Sequence, residues 1–194
     1  QGITDILAAG NNAADAVSRP GVNSVSYRTN EYDFIGFNFN NSILSDRNVR
    51  QAIAYSIDKD SMIEAIYLGD AEEAYSPVSS VYGYDYDPSV ARMLLEQSGW
   101  RFRSGSDGVR QSGGDSPRML SLSILVNGEN NERRQVAVKL AEALEGIGFD
   151  IILETVNFDT YSQRLENGNF DIFVGTWSLS PIGDYTFMFG SQEL

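Results

Sequence analysis

A single α/β domain with one mixed, mostly parallel sheet flanked by helices is predicted by three features of the 194-residue sequence. Its last third alternates strand-like and helix-like segments of the right lengths. Its composition, 42% hydrophobic with 11% aromatic residues, is that of an ordinary folded chain. No low-complexity stretch, repeat or linker divides residues 1–194, so they are read as one domain.

From the N-terminus, Asp5 to Val17 is rich in Ala and Asn and reads as a frayed helix that Pro20-Gly21 breaks. Strands are predicted at Val22–Arg28 and Tyr32–Asn40. The second sets Phe34, Gly36 and Asn38 against Ile35, Phe37 and Phe39 with the period of two that marks a strand. The period then changes. Val49, Ala52, Ile53 and Ile57 share one helical face, with Ser45 or Asp46 as cap and an Asp46–Arg50 pair one turn apart. Asp58 opens a second helix, with Met62, Ile63 and Ile66 inward and Gly69 as its stop. After a tyrosine-rich loop from Ala74 to Tyr86, Asp87-Pro88 places a cap and an N1 proline before Val90, Ala91, Leu94 and Leu95.

Residues 100–117, with Gly105, Gly108, Gly113 and Gly114, read as a surface hairpin. The regular last third follows: strand Arg118–Val126, helix Asn130–Ile147, strand Phe149–Val156, helix Phe158–Asn167 and strand Phe170–Trp177. Two right-handed crossovers onto one sheet are the simplest way to connect them.

Composition excludes several functions. There are 14 basic and 27 acidic residues, a formal net charge of −13, which opposes a nucleic-acid partner. Cysteine and histidine are both absent, removing thiolate chemistry, disulfides, the common zinc sites and any histidine base. Cysteine-free composition fits an exported bacterial protein, and any signal peptide is expected to lie outside this sequence.

The remaining motifs point to structure. Gly146-Ile147-Gly148 follows a helix and precedes a strand, the reverse of a dinucleotide loop, and reads as a helix end with a tight turn. Glu72/Glu73 and Asp85/Asp87 read as solvated loop acids. The latter pair lacks the turn glycine and terminal glutamate of a calcium loop. The Asn40-Asn41-Ser42 sequon lies at a strand end and carries no argument. No metal site and no cofactor is expected.

One run of motifs resembles a known family. Phe37-Asn38-Phe39-Asn40 is followed by Asp46, Val49-Arg50-Gln51-Ala52-Ile53 and Ile57-Asp58-Lys59. Then come Ile66-Tyr67-Leu68-Gly69, Tyr86-Asp87-Pro88, Leu94-Leu95 with Gly99-Trp100, Gly148 with Ile151, Phe170-Asp171 and Trp177. Together, over roughly Val25 to Tyr185, these resemble the family-5 extracellular solute-binding proteins, the oligopeptide-, dipeptide- and nickel-binding components of ABC importers.

The resemblance implies a periplasmic-binding-protein-like (class II) fold of which this chain is one lobe, inserted into a first lobe not contained here. It implies capture of a peptide or peptide-like solute by clamshell closure, delivery to a membrane ABC permease, and no chemistry. It also implies an extracytoplasmic location, periplasmic or as a cell-surface lipoprotein. In peptide-binding members an aspartate shortly after the strand-ending tryptophan pairs with the ligand's amino terminus. Here Trp177 is followed by Ser178, Leu179 and Ser180, with Ser180 in the aspartate's place and Asp184 further on. Trp177, Ser178, Leu179, Ser180 and Asp184 are the expected ligand-binding residues, with Asn38 and Asn40 on the hinge side. A carboxylate-based hydrolase domain, and a sensor or adhesion module on the same fold, are the alternatives.

Overall fold

Alternating side chains make an edge strand of β1 (Glu31–Phe37), whose Ile35 and Phe37 pack against the core. The computed structural model describes residues 29–77, 83–105 and 107–179, together with residue 23. The helix expected over Asp5–Val17 and the strand over Val22–Arg28 lie outside these residues.

Each helix begins where a short polar side chain can take a free backbone N–H. In α1 (Arg47–Ser56) Asp46 accepts from the Asn48 N–H, and in α2 (Lys59–Tyr67) Asp58 accepts from that of Ser61. Asp87 accepts from Ser89 and Val90 at the start of α3 (Pro88–Gln97). Asn130 and Asn157 do the same for α4 (Asn131–Glu145) and α5 (Phe158–Glu166). The expected Asp46–Arg50 pair does not form. Arg50 instead donates to the carbonyls of Leu44 and Ser45 at 2.8 and 2.9 Å and lies over the Phe39 ring. Asp46 is committed to its cap.

The stop of α2 also differs from expectation. Leu68 enters the left-handed region first, at φ 54°, and Gly69 follows at φ 82°. A leucine there carries a steric cost of about 1 kcal/mol.

The hairpin residues pair as β2 (Arg101–Phe102) and β3 (Arg110–Gln111). They are fastened to the main body rather than lying wholly on its surface, because Arg110 is 1% exposed and Trp100 5%. Gly148, at φ 102°, completes the fit. A Cβ there would come within 2.7 Å of the Arg110 side chain and 2.9 Å of the Phe102 ring.

The main sheet has the order β1-β6-β4-β5, with β4 (Ser121–Asn127), β5 (Asp150–Val156) and β6 (Ile172–Ser178) parallel and β1 antiparallel to β6. Since β5 and β6 lie on opposite sides of β4, right-handed crossovers send α4 to one face and α5 to the other. Leu122, Ile124 and Val126 enter the main core with Leu140 and Leu144 of α4, Ile53 of α1 and Leu95 of α3. Leu125 points the other way and is fully buried on the face where α5 packs against β4.

Candidate functional site

Register creates an opening at the carboxyl edge of the sheet. β1 follows β6 through all seven pairs, from Glu31↔Ser178 to Phe37↔Ile172. β4 meets β6 only at Ile124↔Ile172 and Leu125↔Phe173, and beyond those pairs it continues beside β5. The strands therefore part between β4 and β6, where successive crossovers leave for opposite faces. Open α/β sheets bind ligands at such switch points, outside the carboxyl ends of their strands.

Several side chains gather at this edge. Trp177 projects from the last turns of β6 on the face away from the main core and is 37% exposed. Its ring stacks on Phe34 at 5.9 Å and 18°, and Phe34 stacks on Tyr32 at 6.1 Å and 14°. Gly36 leaves room beside this stack: a Cβ there would meet the Phe173 ring at 2.1 Å. Ser178 is exposed beside Glu31, and the Leu179 N–H donates to the Asn30 carbonyl at 2.7 Å. Phe158, at the start of α5 on the same edge, is 52% exposed.

Charged and phenolic groups complete the edge on the core side and in the opening. The Tyr67 hydroxyl donates to Asp33 at 2.5 Å, and the Thr176 hydroxyl donates to the other oxygen of the same carboxylate. Tyr161 of α5 donates to the Val174 carbonyl at 2.7 Å, close to where β4 and β6 separate. Burial raises the proton affinity of both phenols. For Tyr67 the Asp33 carboxylate adds to the effect, and for Tyr161 the value is pushed up to about 12. Arg133, in the first turn of α4, lies close enough to both hydroxyls to oppose that rise. Its half-buried guanidinium makes no ion pair or hydrogen bond among the described residues.

A pH dependence follows. The folded-state pKa of Tyr161 lies above its ordinary value of 10. Its contribution to stability is complete below pH 10 and is lost as pH rises through about 12. Urea denaturation at stepped pH is expected to show a steeper alkaline loss for the wild type than for Tyr161→Phe. Equal slopes would remove the assignment.

The structure does not bring all the sequence-predicted site residues together. Trp177, Ser178 and Leu179 are adjacent at the carboxyl edge. Asn38 and Asn40 sit beyond the opposite end of β1, with Asn38 six residues from Tyr32 of the Tyr32↔Trp177 pair, about 20 Å away. There Asn38 donates to the Gly168 and Phe170 carbonyls at 3.1 and 2.8 Å and accepts from the Asn40 N–H at 3.0 Å. Asp171 beside them accepts from Asn41, from the Ser123 N–H and from the Ser123 hydroxyl. This Asn-Asp network pins the turn before β6 to β1 and β4, which gives the Asn38 side chain a structural duty, while Asn40 joins it through its backbone N–H. Ser180 and Asp184 lie outside the described residues. Asp33, Tyr67 and Arg133 were not expected. A carboxylate two positions before Ile35, on the side that turns inward, was the available signal for Asp33.

Comparison with known proteins bears on this site. Residues 2–192 match the model of the family described as bacterial extracellular solute-binding proteins, family 5 Middle. The oligopeptide-binding protein AppA of Bacillus subtilis is 29% identical over 175 residues, which are 84% of this chain and 32% of that protein. The structure of AppA from Bacillus subtilis in complex with a nonapeptide superimposes with a TM-score of 0.80 at 28% identity, covering 91% of this chain and 37% of that one. NikA from Brucella suis in complex with Fe(III)-EDTA shares the fold, with a TM-score of 0.73 at 24% identity over 81% of this chain and 32% of that one. The chain thus spans about a third of the length of these relatives.

Proposed function

Because this chain belongs to the family-5 bacterial extracellular solute-binding proteins, we propose that it forms one wall of a solute site that captures a peptide or peptide-like molecule for an ABC importer. The opposite wall is a second lobe supplied by a longer protein, and capture proceeds by closure of the two lobes on a hinge. The protein works outside the cytoplasm and hands its solute to a membrane permease. No bond is made or broken.

The observation that carries this reading is the parting of β4 and β6, with exposed Trp177 and Phe158 and half-buried Arg133 at the same edge. An apolar surface with a few charged groups at a switch point can hold a chain of amide bonds and side chains. Arg133 offers a cation to a solute carboxylate, and the exposed end of β6 offers the backbone groups of Ser178, which face away from β1. The nonapeptide held by the relative from Bacillus subtilis supports a peptide over other solutes.

Calorimetry with tri- to nonapeptides tests the reading. The full-length protein is expected to bind at least one of them at micromolar affinity or better, and to be stabilised by about 2.7 kcal/mol at a hundredfold excess over Kd. The 194-residue chain alone is expected to bind none measurably. Micromolar binding by the chain alone would overturn the two-wall arrangement. No binding by the full-length protein across a broad set would overturn the peptide assignment.

A further inference from the structure

We propose that Asp33 is a specificity-determining residue of this site, receiving a positively charged nitrogen of the solute; the inference rests on the peptide-capture reading above.

The pattern of β1 calls for an apolar side chain at this position. Asp33, Ile35 and Phe37 share one face of the strand, and Ile35 and Phe37 pack against the core. Across on β6, Val174 and Ile172 are buried on the same face. The apolar face stops at the Asp33↔Thr176 pair, two positions inside the carboxyl edge, and there the carboxylate is exposed. The adjacent pair is Tyr32↔Trp177, so the carboxylate and the tryptophan flank the same strand ends from opposite faces.

The carboxylate is held in place by two neutral donors rather than by a direct ion pair. Tyr67 reaches it from the end of α2 and Thr176 from β6, one hydroxyl to each oxygen. Two elements thus fix its orientation. An ionised carboxylate has room for about four hydrogen bonds, so each oxygen retains a further acceptor site. Among the described residues Asp33 makes no ion pair. Other acids here have evident duties: Asp46, Asp58 and Asp87 cap helices, while Glu73 and Glu154 neutralise Lys59 and Arg164. Neutral donors orient Asp33 without cancelling its charge, and of the charged groups near the same Tyr67 hydroxyl, Glu132 and Arg133 act in opposite senses. An ammonium group donating to this carboxylate makes a charge-assisted hydrogen bond, strengthened when closure removes water.

The cation can be the solute's α-amino group or a basic side chain, and three probes separate these. Ala-Ala-Ala carries only the first, N-acetyl-Ala-Lys-Ala only the second, and N-acetyl-Ala-Ala-Ala neither. The full-length wild type is expected to prefer one or both cationic probes over the neutral one. Asp33→Asn is expected to lose that preference, weakening the preferred probe roughly tenfold to a hundredfold. Its affinity for the neutral probe should fall far less than that for the preferred cationic probe, and thermal melting reports separately any cost of losing an acceptor for Tyr67 or Thr176. Tyr67→Phe, which keeps the carboxylate and removes one orienting donor, is expected to fall between them on the same probe. If the wild type discriminates and Asp33→Asn discriminates equally, the assignment of Asp33 is overturned while peptide capture stands. A wild type that binds all three alike overturns it as well. Binding of none overturns peptide capture, and Asp33 with it.

Discussion

Replacing Arg110 by alanine is expected to destabilise the protein by about 3 kcal/mol and to lower its melting temperature by roughly 6–12 °C. The Arg110 side chain is almost fully buried, donating to the Ile147 carbonyl at 2.8 Å and the Trp100 carbonyl at 3.0 Å. It also lies 4.3 Å from the Phe102 ring centroid. Burial lowers the pKa of the guanidinium, which shows that removal from water opposes its charge. Alanine strands two carbonyls in a dry interior and leaves the space that the Arg110 stem fills against Gly148. Glu96 contributes little, because its carboxylate is largely exposed and 3.4 Å away. Arg110→Lys is expected to recover less than half the loss, since an ammonium cannot span both carbonyls in one plane. Urea denaturation followed by circular dichroism measures both variants. A loss below about 1 kcal/mol for alanine would show that the hairpin is not anchored through this residue.

Replacing Trp177 by alanine is expected to act in the opposite sense, sparing the fold and weakening the capture of solute. The ring is partly exposed and rests on Phe34 at the edge of the sheet rather than within the main core. Stability should fall by no more than about 1 kcal/mol. Affinity of the full-length protein for its preferred peptide should fall by about 2–3 kcal/mol, roughly 30- to 150-fold, as for an aromatic anchor at the centre of an interface. Trp177→Phe keeps the stack and should retain most of the affinity. The result that counts against Trp177 as part of the wall is a large loss of stability with unchanged peptide affinity.

The elements were legible because their signals are local. Asp46, Asp58 and Asp87 each precede an apolar helical face, and each accepts from the N–H groups that a cap must satisfy. Strand ends were less exact. The strand expected to run from Tyr32 to Asn40 stops at Phe37, because Asn38 turns its amide to the Gly168 and Phe170 carbonyls, 130 and more residues away. The same distance in sequence hid the role of Asp33, whose two donors come from α2 and β6. Arg110 sits among glycines and charged residues in a segment that reads as surface. Its burial depends on the αβ turn at Gly148, which only the folded chain brings beside it.

By itself the sequence determined the class of fold, the order of the strands and helices in its last third, the caps, and the membership of a family. All of these follow from hydrophobic period and from residues within a turn of one another, which the chain carries wherever it folds. Only the tertiary structure decided which side chains meet at the carboxyl edge. It placed Trp177 and Asp33 on opposite faces of the same strand ends and removed Asn38 and Asn40 to the far end of the sheet. The physical reason is register. Strand pairing and crossover direction set which residues become neighbours, and these are settled by the packing of the whole core rather than by any one segment.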